Sequence, residues 1–562
     1  MSPARAGLLA PGLAQLGRTT ALGCVALLLP GLLSGCSKGA APAESAEAAP
    51  PTQVENPAPG ETPAPAPPQR LTLPALASGV PAPAVSCPAG APLPEAVACP
   101  TALADLARAL GDPSLAGDAA LAELEACSEF PRGVVRALRA ERLPACADQL
   151  VEPVLAGAPA EGEGGVETDG RPTPRIDAVL IEDLYALGLA GRLSRLVAAP
   201  PSAPPKSSKA ELEEYLKTQL FPWASAQATA IAELSRAGAK MRGYARGVVA
   251  VEAALADLRF VEMARGLPLP KEMQAPEVQA EYYAALDEAL EPRKDRARDA
   301  ALVGLGELST LGILRSSRLA QARQLIARVF AGNRLVALDV LLLPPAPGCA
   351  GATPQEVVAS SVESPYASWL LAGVPATPAL TACLLTRGLP LDVARRLESE
   401  STQASRSALA RAHFEVGRTY MKADAFQRAA ALYANGAKGG AEPATSDDLL
   451  LGALAQILVA VPASAADLFR IGPRLPSALG ETARLDELAS SGRPSAGAAA
   501  FDAAYLRELT APDGSVSHFQ DVAKRYEQAR NRLSGKERLL AADRARAAQA
   551  TARVLEKQLK TE

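Results

Sequence analysis

The amino-acid sequence predicts an all-α protein, and three observations carry that expectation. Apolar residues make up 48% of the 562 residues while aromatics make up only 4%. A chain so rich in alanine and so poor in rings suits helices packed on helices, whereas strands favour β-branched and aromatic residues. Beyond about residue 100, apolar residues recur at three- and four-residue spacing, the period of an amphipathic helix. Pro- and Gly-rich stretches punctuate these runs, and no alternating pattern of comparable length competes with them. The length exceeds one typical domain, so two or three packed units are expected.

The first segment carries Arg5 and Arg18 and no acid; residues 19–33 are then apolar apart from Thr19 and Thr20, and small residues follow. That is the layout of a secretory signal. Pro30, several glycines and a run shorter than about 20 apolar residues argue against a membrane span. Leu33-Ser34-Gly35-Cys36 resembles the lipobox of bacterial lipoproteins. The resemblance implies a signal peptide over 1–35, diacylglycerol on the Cys36 thiol, cleavage before it and a multiply acylated cysteine that palmitate would label. Only five residues separate Cys24 from Arg18, too few for an apolar region of about 7 to 15. Ser37, rather than aspartate, follows Cys36. By the resemblance this implies the periplasmic face of the outer membrane, with inner-membrane retention and surface exposure left open. Half of residues 37–86 are Ala or Pro. Proline blocks helix continuation and little is available to bury, so 36–86 is expected to be a disordered tether that begins at the lipidated cysteine.

Six cysteines follow the tether: Cys87, Cys99, Cys127, Cys146, Cys349 and Cys383. An even number in an exported chain suits disulfides, and no CxxC or histidine spacing suits zinc. Sequence proximity favours Cys87 with Cys99, Cys127 with Cys146 and Cys349 with Cys383. Spacing alone does not fix the connectivity, and buried free thiols are the alternative.

The folded part reads as three helical regions. In the first, 87–198, "PTALADLARAL", "DAALAELEACSEF" and "PRGVVRALRAERL" precede a Gly/Glu/Pro-rich loop, and "DAVLIEDLYALGLAGRLSRLV" follows it. "APPSAPPKSSKA" separates this from a middle region, 209–343, which holds the helical stretches "ATAIAELSRAG" and "VVAVEAALADLRFVEMAR". The mixed charge run 287–299 reads there as a solvated helix end or loop. "PPAPGCAGATP" then leads to a C-terminal region, 355–562.

Residues 408–438, "ALARAHFEVGRTYMKADAFQRAAALYANGAK", resemble a tetratricopeptide repeat. Gly417 and Ala429 are small where two antiparallel helices approach closely, and Tyr420, Phe426 and Tyr433 fill the space around them. "FQRAAALYANG" (426–436) and "FQDVAKRYEQA" (519–529) align without a gap, matching Phe519 and Tyr526 to Phe426 and Tyr433. The resemblance implies an irregular α-solenoid of degenerate helical hairpins; any alanine-rich hairpin bundle is the alternative. The last stretch, 536–560, has strong helix propensity and an intermittent stripe of Leu539, Leu540, Ala547, Val554, Leu555 and Leu559, as a cap or a partner helix would.

A formal charge of −4 gives no global field for nucleic acid. Arginine outnumbers lysine 44 to 13, as expected of a GC-rich genome. The two histidines, His413 and His518, have no metal-ligand pattern beside them and read as helix-end or surface residues. No nucleophile elbow, phosphate loop, dinucleotide fingerprint or HExxH is present. Neither metal nor cofactor is expected, and no catalytic residue is assigned. In the repeat family the first helix of each hairpin lines a groove. Carried over, this places Arg411, Phe414, Arg418, Met421 and Lys422 on one face suited to an acidic peptide or a terminal carboxylate. The expected function is a lipid-anchored periplasmic scaffold for protein partners, engaged in envelope assembly. The alternatives are a helical glycan-cleaving hydrolase, which needs two converging carboxylates, and a passive structural lipoprotein.

Overall fold

The structure, a computed structural model, describes Leu73, Cys87 and most of residues 103–561. The stretches 158–177, 346–352, 372–384, 386–402 and 462–474 and several shorter ones fall outside that description. The signal, Cys36, the tether apart from Leu73, Cys99, Cys349 and Cys383 therefore lie outside the described residues.

Within the described residues the fold is all-α, with eighteen α-helices and no extended strand. In chain order they begin with α1 (Leu103–Leu110), α2 (Leu115–Glu125), α3 (Arg132–Arg142), α4 (Ala147–Gly157), α5 (Ala178–Ala198) and α6 (Lys209–Tyr215). The middle set is α7 (Phe221–Gly238), α8 (Gly243–Arg265), α9 (Pro276–Leu311), α10 (Ser317–Val329), α11 (Pro354–Ser361) and α12 (Gln403–Tyr420). The last are α13 (Ala423–Gly439), α14 (Ser446–Leu458), α15 (Ala483–Ser490), α16 (Ala496–Leu509), α17 (Val516–Arg530) and α18 (Gly535–Thr561).

These residues divide into two compact units. The smaller comprises, within the described residues, Pro200–Ala228 and Met263–Pro292. Ser208 and Glu211 close a reciprocal capping box at the start of α6, satisfying two amide donors that the helix leaves open. The Tyr215 hydroxyl donates to the Pro201 carbonyl at 2.8 Å. A single π-type turn, Leu216–Leu220, joins α6 to α7, and Leu220 and Trp223 are buried.

In the larger unit, helices pack on their sequence neighbours. Contacts run from α1 to α2, α3, α4 and α5, then from α12 to α13 and α14, and from α15 through α16 and α17 to α18. Small residues set the closeness. A Cβ on Gly247 would stand 2.8 Å from Leu308, and one on Gly304 would stand 2.7 Å from Val251, so α8 and α9 approach more nearly than side chains permit. The stretch Val248–Phe260 of α8 is enclosed on almost every side, which is why its sequence is apolar around the whole helix.

Three expectations are corrected here. Cys87 forms its disulfide with Cys146, not with Cys99, so Cys127 is not the partner of Cys146. Cys127 is buried, its Sγ 3.9 Å from the Glu123 carbonyl. Sequence proximity misled because Cys146 lies on a 3-10 turn between α3 and α4, where the fold returns the chain to Cys87. The charge run 287–299 is no helix end, because α9 continues through Pro292 and Arg293 is buried. Finally, α18 turns Ala541, Ala545, Ala548 and Ala552 inward, while Leu539, Val554 and Leu559 face solvent. Packing α17 tightly on α18 selects the smaller side chains of the helix.

Candidate functional site

The hairpin of α12 and α13 is where the sequence placed a site. Met421 follows α12 with φ of +53°, and the Lys422 N–H donates back to the Gly417 carbonyl at 2.9 Å, closing a left-handed helix cap. Glycine usually takes that conformation. Burial of the Met421 side chain offsets the cost here. Gly417 sits against the Phe426 ring, where an added Cβ would be 2.8 Å from Cδ1. Phe426 meets Phe414 edge-on at 5.5 Å, Ala429 is fully enclosed, and Tyr433 is buried beside Gly452 of α14. The Tyr420 hydroxyl donates to the Ile313 carbonyl. In the second matched segment Tyr526 is enclosed and bonded to Glu508, while Phe519 is half-buried against His518.

Most of the face proposed for a partner is turned inward, while Arg418 and Lys422 stay partly exposed. Phe414 and Met421 belong to the core, and Arg411 is buried, its Nε on Glu415 at 2.9 Å and its Nη2 on the Pro344 carbonyl. Arg418 binds Glu415 and Asp339, and Lys422 reaches Ser309 and Asp424. Arg411, Phe414 and Met421 therefore hold α12 to its neighbours rather than lining an open groove, and Arg418 and Lys422 pair with acids beside them. His413 is buried in the middle of α12, a correction to its reading as a surface residue. His518 does lie at a helix start, its Nε2 3.0 Å from the Arg507 carbonyl.

A second constellation, which sequence reasoning missed, is built from five elements of the larger unit. Glu141 ends α3, Asp183 stands in α5, Tyr244 and Glu252 in α8, Arg318 in α10, and Tyr366 in the 3-10 turn Pro365–Leu371. All six are buried. Arg318 donates from Nη1 to Glu141 at 3.2 Å and from Nε to Glu252 at 3.0 Å. The Tyr244 hydroxyl donates to Glu141 at 2.6 Å, and Ser316 Oγ donates to its other oxygen at 3.2 Å. Arg259, at the rim, approaches Glu252 at 3.6 Å. Tyr244 and Tyr366 meet edge-on at 5.4 Å. Burial, then the charges of Glu182 and Glu141, push the Asp183 carboxyl up to about 8, against the opposing pull of the Tyr366 hydroxyl and the Ala245 N–H. Burial also raises both tyrosines well above their ordinary value.

Arginine does the same work elsewhere in the core. Arg139 grips Asp118 through two bonds of 2.9 Å and reaches Glu125, which also pairs with Arg136. Arg293 lies 3.9 Å over the Phe260 ring and, with Arg296, binds Asp257. Burial keeps the Asp257 carboxyl above its usual range despite both guanidiniums. The signal in the sequence was present: Asp183, Glu252 and Asp257 each interrupt an apolar helical run, and an acid so placed must find a buried partner.

Among the described residues no helix is long and apolar enough to cross a membrane, and no group of His, Cys, Asp or Glu is arranged to hold a metal ion. Against known proteins, no family model, no curated protein and no solved structure gives a significant match to the chain.

Proposed function

We propose that the protein is a lipid-anchored interaction scaffold of the bacterial envelope, held at the periplasmic side of the outer membrane through Cys36 and binding protein partners through an irregular, tetratricopeptide-like helical surface. The observation that carries this reading is the end of α18. Its inward residues follow a strict alternation of four and three, Ala541, Ala545, Ala548 and Ala552, and the same spacing continues to Leu555 and Leu559. α17 has 15 residues and α18 has 27, joined by a short connection, so α18 outlasts the helix that covers it. Leu559 is 66% exposed and neighbouring Val554 is 55% exposed. The occupant that fits is an amphipathic helix of a partner protein, laid along α18 where α17 ends, with larger apolar residues meeting leucine instead of alanine.

The test places a photo-crosslinking side chain at Leu559, and separately at the buried Ala541, in the full-length protein in its native envelope. A discrete protein adduct at Leu559, absent from Ala541 and lost when Leu555 becomes aspartate, is expected. No protein adduct at Leu559 would overturn the scaffold reading. Palmitate should label the wild type and not Cys36→Ser; label retained in that variant would remove the acylation site.

A further inference from the structure

The constellation around Arg318 is short of positive charge. Three carboxyls, those of Glu141, Asp183 and Glu252, are enclosed with one guanidinium, and Arg318 places its bonds on Glu141 and Glu252. Arg259, the second cation, stands at the rim beside Glu252. Among the described residues Asp183 makes no ion pair. An enclosed carboxylate with no cation is costly, so the group holds a proton instead.

Among the described residues, the elements that pack here leave Asp183 in that condition. On its own helix, α5, Glu182 adds like charge, and Arg192 and Arg195 are committed to Asp148 of α4. α3 presents Glu141, already served by Tyr244, Ser316 and Arg318, and Arg142, whose Nη1 donates to the Leu110 carbonyl. α8 presents Tyr244, Glu252 and the Ala245 N–H, with Arg246 drawn to Glu307 of α9. The 3-10 turn presents Tyr366. Ionised Asp183 would thus meet two neighbouring carboxylates and two hydroxyl or amide donors.

We propose that the junction of α3, α5 and α8 with the 3-10 turn Pro365–Leu371 is a proton-operated latch, closed while Asp183 is a neutral acid and opened locally when that proton passes to solvent. The sign follows from linkage. A carboxyl whose folded value lies above its unfolded one, about 3.9, gives stability that is complete below the unfolded value and is lost as pH rises through the folded value. With the folded value near 8, the window is pH 4 to 8. The opening equilibrium then rises about tenfold per pH unit through the middle of that window and levels off above it.

Amide hydrogen exchange on the full-length protein reads this directly, with protection factors corrected for the intrinsic pH dependence of exchange. In the wild type, protection at Tyr366–Leu370 and at the start of α5 should fall about tenfold per pH unit between roughly pH 5.5 and 7.5. Protection in α17, which lies outside the junction, should hold. In Asp183→Asn, which mimics the neutral acid, protection at the junction should be flat over the same range. Trp369, in the same turn, gives an independent readout: with Trp223→Phe as background it is the sole tryptophan. Its emission should shift to the red with pH in that background and stay fixed when Asp183→Asn is added. An unchanged slope in Asp183→Asn would overturn the latch, as would a flat wild-type profile. A loss of protection that includes α17 equally would also overturn it, and that outcome is legible in the wild type alone.

Discussion

Replacing Arg318 with methionine is expected to destabilise the fold by about 3–5 kcal/mol, because it leaves two enclosed carboxylates without their shared cation. Methionine keeps most of the apolar stem that arginine packs, so the loss measures charge rather than volume. The side chain is 2% exposed, and its bonds to Glu141 and Glu252 tie α10 to α3 and α8. Tyr244 and Ser316 still donate to Glu141 in the variant, but hydroxyl donors do not neutralise a buried charge. Against a typical stability of about 5–15 kcal/mol, the expected outcome is a urea midpoint moved far toward zero. Adding Glu141→Gln and Glu252→Gln should recover most of the loss, since the neutral amides remove the charge that methionine cannot meet. A single substitution costing less than about 1 kcal/mol would place these carboxylates in contact with water and contradict the enclosed network.

That network also marks where sequence reasoning stops. Helical periodicity is local, and it identified α3, α5, α8, α12, α13 and α18 from residues only three and four positions apart. The contacts that give the core its polar character are not local: Glu141 and Arg318 are 177 residues apart, and Cys87 and Cys146 are 59 apart. Composition shows that an acid in an apolar run needs a partner without naming it. The face of α12 shows a second limit. Arg411, Phe414, Arg418 and Met421 share one side of the helix by spacing, and spacing is silent on whether that side faces a neighbour or water. Phe414 and Met421 were the better guide, because burying them returns more free energy than arginine loses when it finds Glu415 and a carbonyl on the way in. On α18 the ambiguity was between leucine and alanine. The hydrophobic reading chose leucine, and the close approach of α17 required alanine.

Phe426→Ala is expected to cost about 3–5 kcal/mol, the range for removing a fully enclosed ring. The ring is 0% exposed, meets Phe414 at 5.5 Å and fills the space that Gly417 leaves on the facing helix. The sharper expectation concerns Gly417→Ala, whose effect should change sign with its neighbour. In the wild type the new methyl would stand 2.8 Å from the ring. Overlap of that kind in a filled core costs about 1–3 kcal/mol, which outweighs the roughly 1 kcal/mol that alanine gains over glycine in a helix. In the Phe426→Ala background the ring is gone, so the methyl enters the vacated space and the helical preference of alanine acts unopposed. Gly417→Ala should therefore destabilise the wild type and stabilise Phe426→Ala. The double-mutant cycle, measured by urea unfolding of the full-length variants, should show a coupling of about 1–3 kcal/mol. Additivity within about 0.5 kcal/mol would mean that the two helices do not meet at this pair, and the close packing of α12 on α13 would be lost with it.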